Sequence, residues 1–191
     1  HMVEFYRARF APGETSVVVA GAVEPATVRA LVERDLGGWS GTADPGDSSV
    51  SPRAFDKCRI YVIDRPESVQ SEIRIGHVGV PRSCDDFFPL LVMNSILGGV
   101  FNSRIMLNLR ERHGFTYGAR SAFAFRRHAG PFVVSTAVRN EVTTAAVREI
   151  IAELERIRSG DVAANELADS RNYLVGTFPA TVQNASDLAN R

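Results

Sequence analysis

Two residues of this 191-residue chain combine types and spacing that could do chemistry. They are Arg110 and Tyr117, seven positions apart in the stretch Leu97–Gly118, LGGVFNSRIMLNLRERHGFTYG. A tyrosine hydroxyl can donate a hydrogen bond to a developing oxyanion. An arginine fork can hold a substrate carbonyl or carboxylate. Spacing alone leaves a plainer reading open, a surface arginine and a tyrosine packed at the start of a strand.

Other candidate groups carry less. Of the four histidines, His1 stands with Met2 as a pair of the kind cloning leaves behind, so His77, His113 and His128 remain. No two of them have metal-ligand helix spacing, and HxxH, HExxH and HxxEH are all absent. Cys58 and Cys84 form no CxxC and read as two unpaired thiols. These patterns argue against a zinc site built from this chain alone. Gly98-Gly99 lacks the strand, the GxGxxG pattern and the GK[ST] ending of a phosphate loop, and reads as a helix stop with close packing. Ser103, Ser121 and Ser135 lie in no GxSxG elbow. Arg126-Arg127-His128 reads as a solvated basic tip.

The totals narrow the function classes. Acids and bases balance at 22 each, which argues against a nucleic-acid or membrane surface. No apolar run approaches the roughly 20 residues of a membrane span. The composition is that of an ordinary soluble globular protein. Lys57 is the only lysine among the 22 basic residues, a bias that suggests a GC-rich bacterial gene.

The elements that must position Arg110 and Tyr117 follow from periodicity. Thr15–Gly21 reads as a buried strand, and Pro25 opens a helix with Val28, Leu31, Val32 and Leu36 on one side. A polar Gly/Pro/Ser-rich connection follows. Arg59–Asp64 and Ser71–Val80 read as strands, and Phe87–Leu97 as a buried helix. In the central stretch, Asn102 or Ser103 offers a helix cap, Ile105, Met106 and Leu109 form a stripe, and Gly114 is the expected stop. Thr116–Arg126 and Pro131–Arg139 read as a hairpin. Asn140 is expected to cap a helix that Gly160 ends, and Asp161–Phe178 reads as another helix. Adjacent strand pairs predict an α+β layered sandwich, a largely antiparallel sheet with helices packed on it. The expected division is 3–40, the strand-helix tail of a preceding half-domain; 41–53, a linker; and 54–191, a second half-domain. The helical ending (NASDLANR) suggests an imposed end rather than a natural one.

LGGVFNSRIMLNLRERHGFTYGARS, VQSEIRIGHVGVP and GPFVVSTAV together resemble the pitrilysin/insulinase zinc metallopeptidases, the inverzincins that include the mitochondrial processing peptidases. The resemblance covers nearly the whole chain. It implies a metallohydrolase half-domain of the mitochondrial-processing-peptidase kind, the portion without HxxEH. In such enzymes two homologous halves close over a peptide-binding chamber. One half holds zinc through HxxEH and a downstream glutamate; the other supplies an arginine and a tyrosine seven residues apart. The resemblance thus implies that Arg110 binds substrate and Tyr117 stabilises the tetrahedral intermediate. It implies zinc bound outside this chain, a peptide substrate, and an HxxEH-bearing half in cis or on a partner subunit in trans. A homo- or heterodimer fits it, as does a bacterial cytoplasmic or periplasmic setting. By itself the chain is expected to bind no zinc and cleave no peptide. The alternative is a catalytically inactive structural or interaction subunit; retention of Arg110 and Tyr117 argues against it.

Overall fold

The computed structural model describes residues 1–43 and 55–190. Only the first three residues of the expected connection at 41–53 fall within them. The chain divides into two compact units, His1–Val50 with Val175–Arg191, and Ser51–Leu174.

In the first unit, α1 spans Met2–Arg9 and α2 spans Pro25–Leu36. Proline suits the first turn of α2 because its missing N–H has no helical partner there. The Gly37 N–H closes the other end on the Glu33 carbonyl. The strand expected at Thr15–Gly21 does not form. Val17, Val18 and Val19 stay exposed, and Ala11 is the unit's one buried apolar residue among the described residues. A β-branched run becomes a strand only beside another strand, and none pairs with it here.

The second unit holds the sheet, formed by β1 (Gln70–Val78), β2 (Ala119–Phe123) and β3 (Pro131–Arg139). Its order is β1-β3-β2 and both pairings are antiparallel. The hairpin expected from sequence is β2–β3, with Ser121 opposite Val134. β1 closes the other side of β3, with Ile73 opposite Thr136. Arg59–Asp64, expected as a strand, joins none and is exposed.

Helices cover one face of this sheet. α3 (Phe87–Asn94) runs into a π turn at Ser95–Gly99, and α4 (Arg104–Met106) into a second π turn at Leu107–Arg112. α5 (Thr143–Arg158) packs on the same face, and α6 (Ala164–Thr177) follows it in the chain. The core joins Phe132, Val134 and Val138 of β3 to Leu97, Ile105 and Leu109, and to Ala146 and Ile150 of α5. The other face of the sheet presents Glu72, Arg74 and Arg120 to solvent. Phe87–Arg112 contains an 18-residue window of mean hydropathy 1.4, apolar and long enough by composition and length to cross a membrane. Here it breaks at Val100–Ser103 and buries Ile96, Leu97, Ile105 and Leu109. The expected cap of α5 is replaced by a 3-10 turn, Asn140–Val142. The Asn140 amide instead donates to the Ser68 carbonyl (2.6 Å) and accepts from the Ser71 hydroxyl (3.0 Å). It ties the start of β1 to the end of β3, a longer-range demand that outweighs local capping.

Candidate functional site

The loop before α4 is fixed by a close helix–strand approach. A Cβ on Gly98 would lie 2.6 Å from the Ser121 backbone nitrogen and 2.5 Å from its hydroxyl oxygen. Only glycine allows that contact. Beside it the Ser121 hydroxyl donates to Asn94 Oδ1 (2.7 Å), and Asn94 Nδ2 donates to the Ser121 carbonyl (3.2 Å). So α3 is locked to β2, and the chain leaves at Gly99 in a set direction. Of the two caps open in the sequence, Ser103 takes the N-cap position, although its hydroxyl makes no capping bond. Phe101 sits at the loop's apex, 62% exposed.

Arg110 lies within the π turn that follows α4. The wide turn closes with the His113 N–H on the Asn108 carbonyl (3.1 Å), and the Gly114 N–H meets the Arg110 carbonyl (3.0 Å). Gly114, at φ +61°, reverses the chain there as expected. π turns swing side chains off the regular helical register and recur at functional sites.

Tyr117 is held by its neighbours. The Thr116 hydroxyl lies 2.6 Å from the Ala137 carbonyl and receives the Gly118 N–H (3.1 Å). The Thr136 hydroxyl lies 2.9 Å from the Gly118 carbonyl and 3.0 Å from the Thr116 hydroxyl. These bonds pin the backbone on both sides of Tyr117 to β3. Its side chain is 88% exposed, and its hydroxyl has no partner among the described residues.

The three side chains meet in space. The Arg110 guanidinium carbon lies 4.9 Å from the Phe101 ring centroid and 4.9 Å from that of Tyr117. Both distances are within cation–π range. Arg110 Nε approaches Glu111 Oε1 at 3.3 Å. Neither Nη group has a hydrogen-bond partner among the described residues. The structure therefore brings Arg110 and Tyr117 together and adds Phe101, which the sequence reading passed over. Its signal was position: a large aromatic between a double glycine and a helix start has little local core to enter. The cluster is an open surface. A cleft of about 260 Å³ lies elsewhere, lined by Arg104, Asn108, Glu153, Arg156 and Glu166 among others.

That cleft is structural in its bonding. Arg104 Nε and Nη2 clasp both Glu166 oxygens, at 2.7 and 2.6 Å, and Nη2 also donates to the Asp161 carbonyl. The bonds from Arg104 hold the Glu166 carboxyl below the usual glutamate range and raise the Arg104 guanidinium; partial burial opposes each shift more weakly. Asn108 donates to Glu149 and Glu153. His77 packs on Phe132, and His113 stacks on Phe115 with its Nε2 3.7 Å from Glu149 Oε2. Among the described residues, no three His, Cys, Asp or Glu side chains are placed to hold a metal ion.

A family model described as the peptidase M16 inactive domain matches residues 1–174. An uncharacterized zinc protease of Streptomyces coelicolor is 24% identical, over 98% of this chain and 42% of its own length. "Probable inactive metalloprotease YmfF" of Bacillus subtilis is 22% identical, over 98% of this chain and 43% of its own. The chain thus spans less than half the length of these relatives. Among solved structures, a peptidase M16 inactive domain from Pseudomonas fluorescens superposes with a TM-score of 0.60 at 27% identity, covering 64% of this chain and 29% of that one. A protease from Helicobacter pylori reaches a TM-score of 0.81 at 17% identity, covering 90% of this chain and 42% of that one, a likeness of fold alone.

Proposed function

The chain belongs to the peptidase M16 family through its inactive domain, and from that membership we propose that it is the substrate-holding half of a zinc endopeptidase. In this reading residues 54–191 form a half-domain facing a homologous half that carries HxxEH, and residues 3–40 close that other half. A peptide lies in the chamber between them. Among the described residues no three His, Cys, Asp or Glu side chains are placed to hold zinc; in this reading the metal is held by the other half, in cis or in trans, and no step on this chain runs through it.

The observation that carries the reading is the arginine fork held between two aromatic rings beside an unpartnered tyrosine hydroxyl. The rings limit the positions open to Arg110 while leaving its Nη groups to meet a peptide carbonyl or carboxylate. Tyr117 stands beside that fork on a backbone anchored to β3. Its O–H is the donor for the oxyanion that forms when the scissile carbonyl is attacked. The competing reading, a structural subunit, finds support in the names of the matched domain and of YmfF. The test is Arg110→Lys in the assembled peptidase. A lysine keeps the charge and loses the fork, so KM for peptide rises about tenfold while kcat changes less. An unchanged KM, or an assembled protein that cleaves no peptide, goes against the reading.

A further inference from the structure

Asn108 and Arg110 sit two positions apart in the π turn Leu107–Arg112 and meet different neighbours. Arg110 reaches Phe101 and Tyr117. Asn108 is buried, and its amide nitrogen donates to two carboxylates of α5, Glu149 Oε2 at 3.0 Å and Glu153 Oε1 at 2.7 Å. A turn of this width is rare on its own, and here contacts from outside hold its two ends. The bond that closes it runs from the His113 N–H to the Asn108 carbonyl (3.1 Å). The same two residues converge on Glu149 through their side chains. The Asn108 amide donates to Glu149 Oε2, and His113 Nε2 lies 3.7 Å from that same oxygen. One carboxylate oxygen therefore faces both residues that close the turn, and Arg110 lies between them in sequence.

Glu149 stands on a rigid base. Its helix neighbours Ala146 and Ile150 are fully buried in the core with Val134 and Val138 of β3. The helix is thus fixed to the strand that also anchors Tyr117 through Thr116 and Thr136. Glu153 takes the other Asn108 N–H and is shared with Arg156. It steadies the start of the turn, whereas Glu149 faces both ends.

We propose that Glu149 is a positioning residue for Arg110: it braces both ends of the π turn against α5 and so fixes where the guanidinium fork meets substrate. The inference rests on the substrate-holding reading of Arg110. Glu149 touches no substrate in it; its effect passes through the turn. Holding a binding group in one place lowers the ordering cost when substrate arrives, and small displacements of such a group are costly.

Steady-state hydrolysis by the assembled peptidase tests it. Glu149→Ala removes the brace, and KM for peptide should rise about fivefold with kcat changing less, a smaller rise than in Arg110→Lys because the fork itself remains. Glu149→Gln keeps an oxygen that accepts from the Asn108 amide, so its KM should stay within about twofold of wild type. In an Arg110→Lys background Glu149→Ala should add less than about twofold, because the group it aims is gone. Hydrogen exchange on the same proteins reads the turn itself. Glu149→Ala should speed exchange of the His113 amide about tenfold or more and leave β3 amides unchanged. An unchanged KM in Glu149→Ala overturns the proposal, and so does a Glu149→Gln protein equally impaired. An equal fold-rise in both backgrounds, or loss of β3 protection together with that of His113, marks a general loss of structure and overturns it too. Arg110→Lys separates the two ideas. A raised KM there beside an unchanged KM in Glu149→Ala sinks the positioning role alone. An unchanged KM in Arg110→Lys, with a loosened His113 amide in Glu149→Ala, sinks the substrate-holding reading and leaves Glu149 a brace of the turn.

Discussion

Gly98→Ala tests the close contact that aims the candidate site. The added methyl would sit 2.5 Å from the Ser121 hydroxyl oxygen, 2.6 Å from its backbone nitrogen and 3.0 Å from its Cβ. A hydroxyl can rotate away; the backbone nitrogen belongs to a strand paired with β3 and cannot. Overpacking of this kind costs about 1–3 kcal/mol. Separating α3 from β2 also weakens the two Asn94–Ser121 hydrogen bonds, each worth about 1 kcal/mol. The better helix propensity of alanine returns about 1 kcal/mol. The net loss is about 2–3 kcal/mol, a fall in Tm of about 8 °C for a chain of this size. Thermal melting followed by circular dichroism measures it. Gly98→Ala combined with Ser121→Gly should stay destabilised, because the nitrogen contact remains. A Gly98→Ala protein that melts at or above the wild-type temperature would refute the contact and the aim it gives to Phe101.

Phe101→Ala removes one ring beside Arg110. An exposed cation–π contact is worth about 0.5–1 kcal/mol, so KM for peptide should rise about 2–5-fold with kcat nearly unchanged in steady-state hydrolysis. Glu166→Gln leaves Arg104, whose side chain is 10% exposed, without its charged partner, and should cost about 1–2 kcal/mol in urea unfolding at pH 7. The sign with pH follows from the lowered Glu166 carboxyl. Its contribution is complete above the ordinary glutamate value of 4.5 and fades as pH falls through the lower folded value. The gap between wild type and Glu166→Gln should therefore close on acidification below pH 4.5, and a gap that persists at pH 2 would contradict that assignment.

Features set by local chemistry were legible in the sequence. The double glycine, the stop at Gly114 and the β2–β3 hairpin each depend on a few neighbouring residues, and the structure places all three as expected. The α+β class followed from the pairing of strands. The runs Thr15–Gly21 and Arg59–Asp64 were misread because a strand is completed by its partner, and periodicity says nothing about whether one is at hand. Asn140 was misread for a related reason, since its amide answers to Ser68 and Ser71 across the sheet. Arg110 and Tyr117 were legible as a pair only through family resemblance. Phe101 joins them because a helix–strand contact and a π turn bring together residues nine positions apart, which no spacing rule encodes.

The most direct test of the account is peptide hydrolysis by the assembled peptidase carrying Tyr117→Phe. The substitution removes one oxygen from an exposed side chain and leaves the ring against Arg110. Loss of one oxyanion donor should lower kcat about 100-fold or more, with KM and Tm little changed. A kcat equal to that of the wild type would show that Tyr117 does not serve the reaction, and the substrate-holding role would lose its catalytic half.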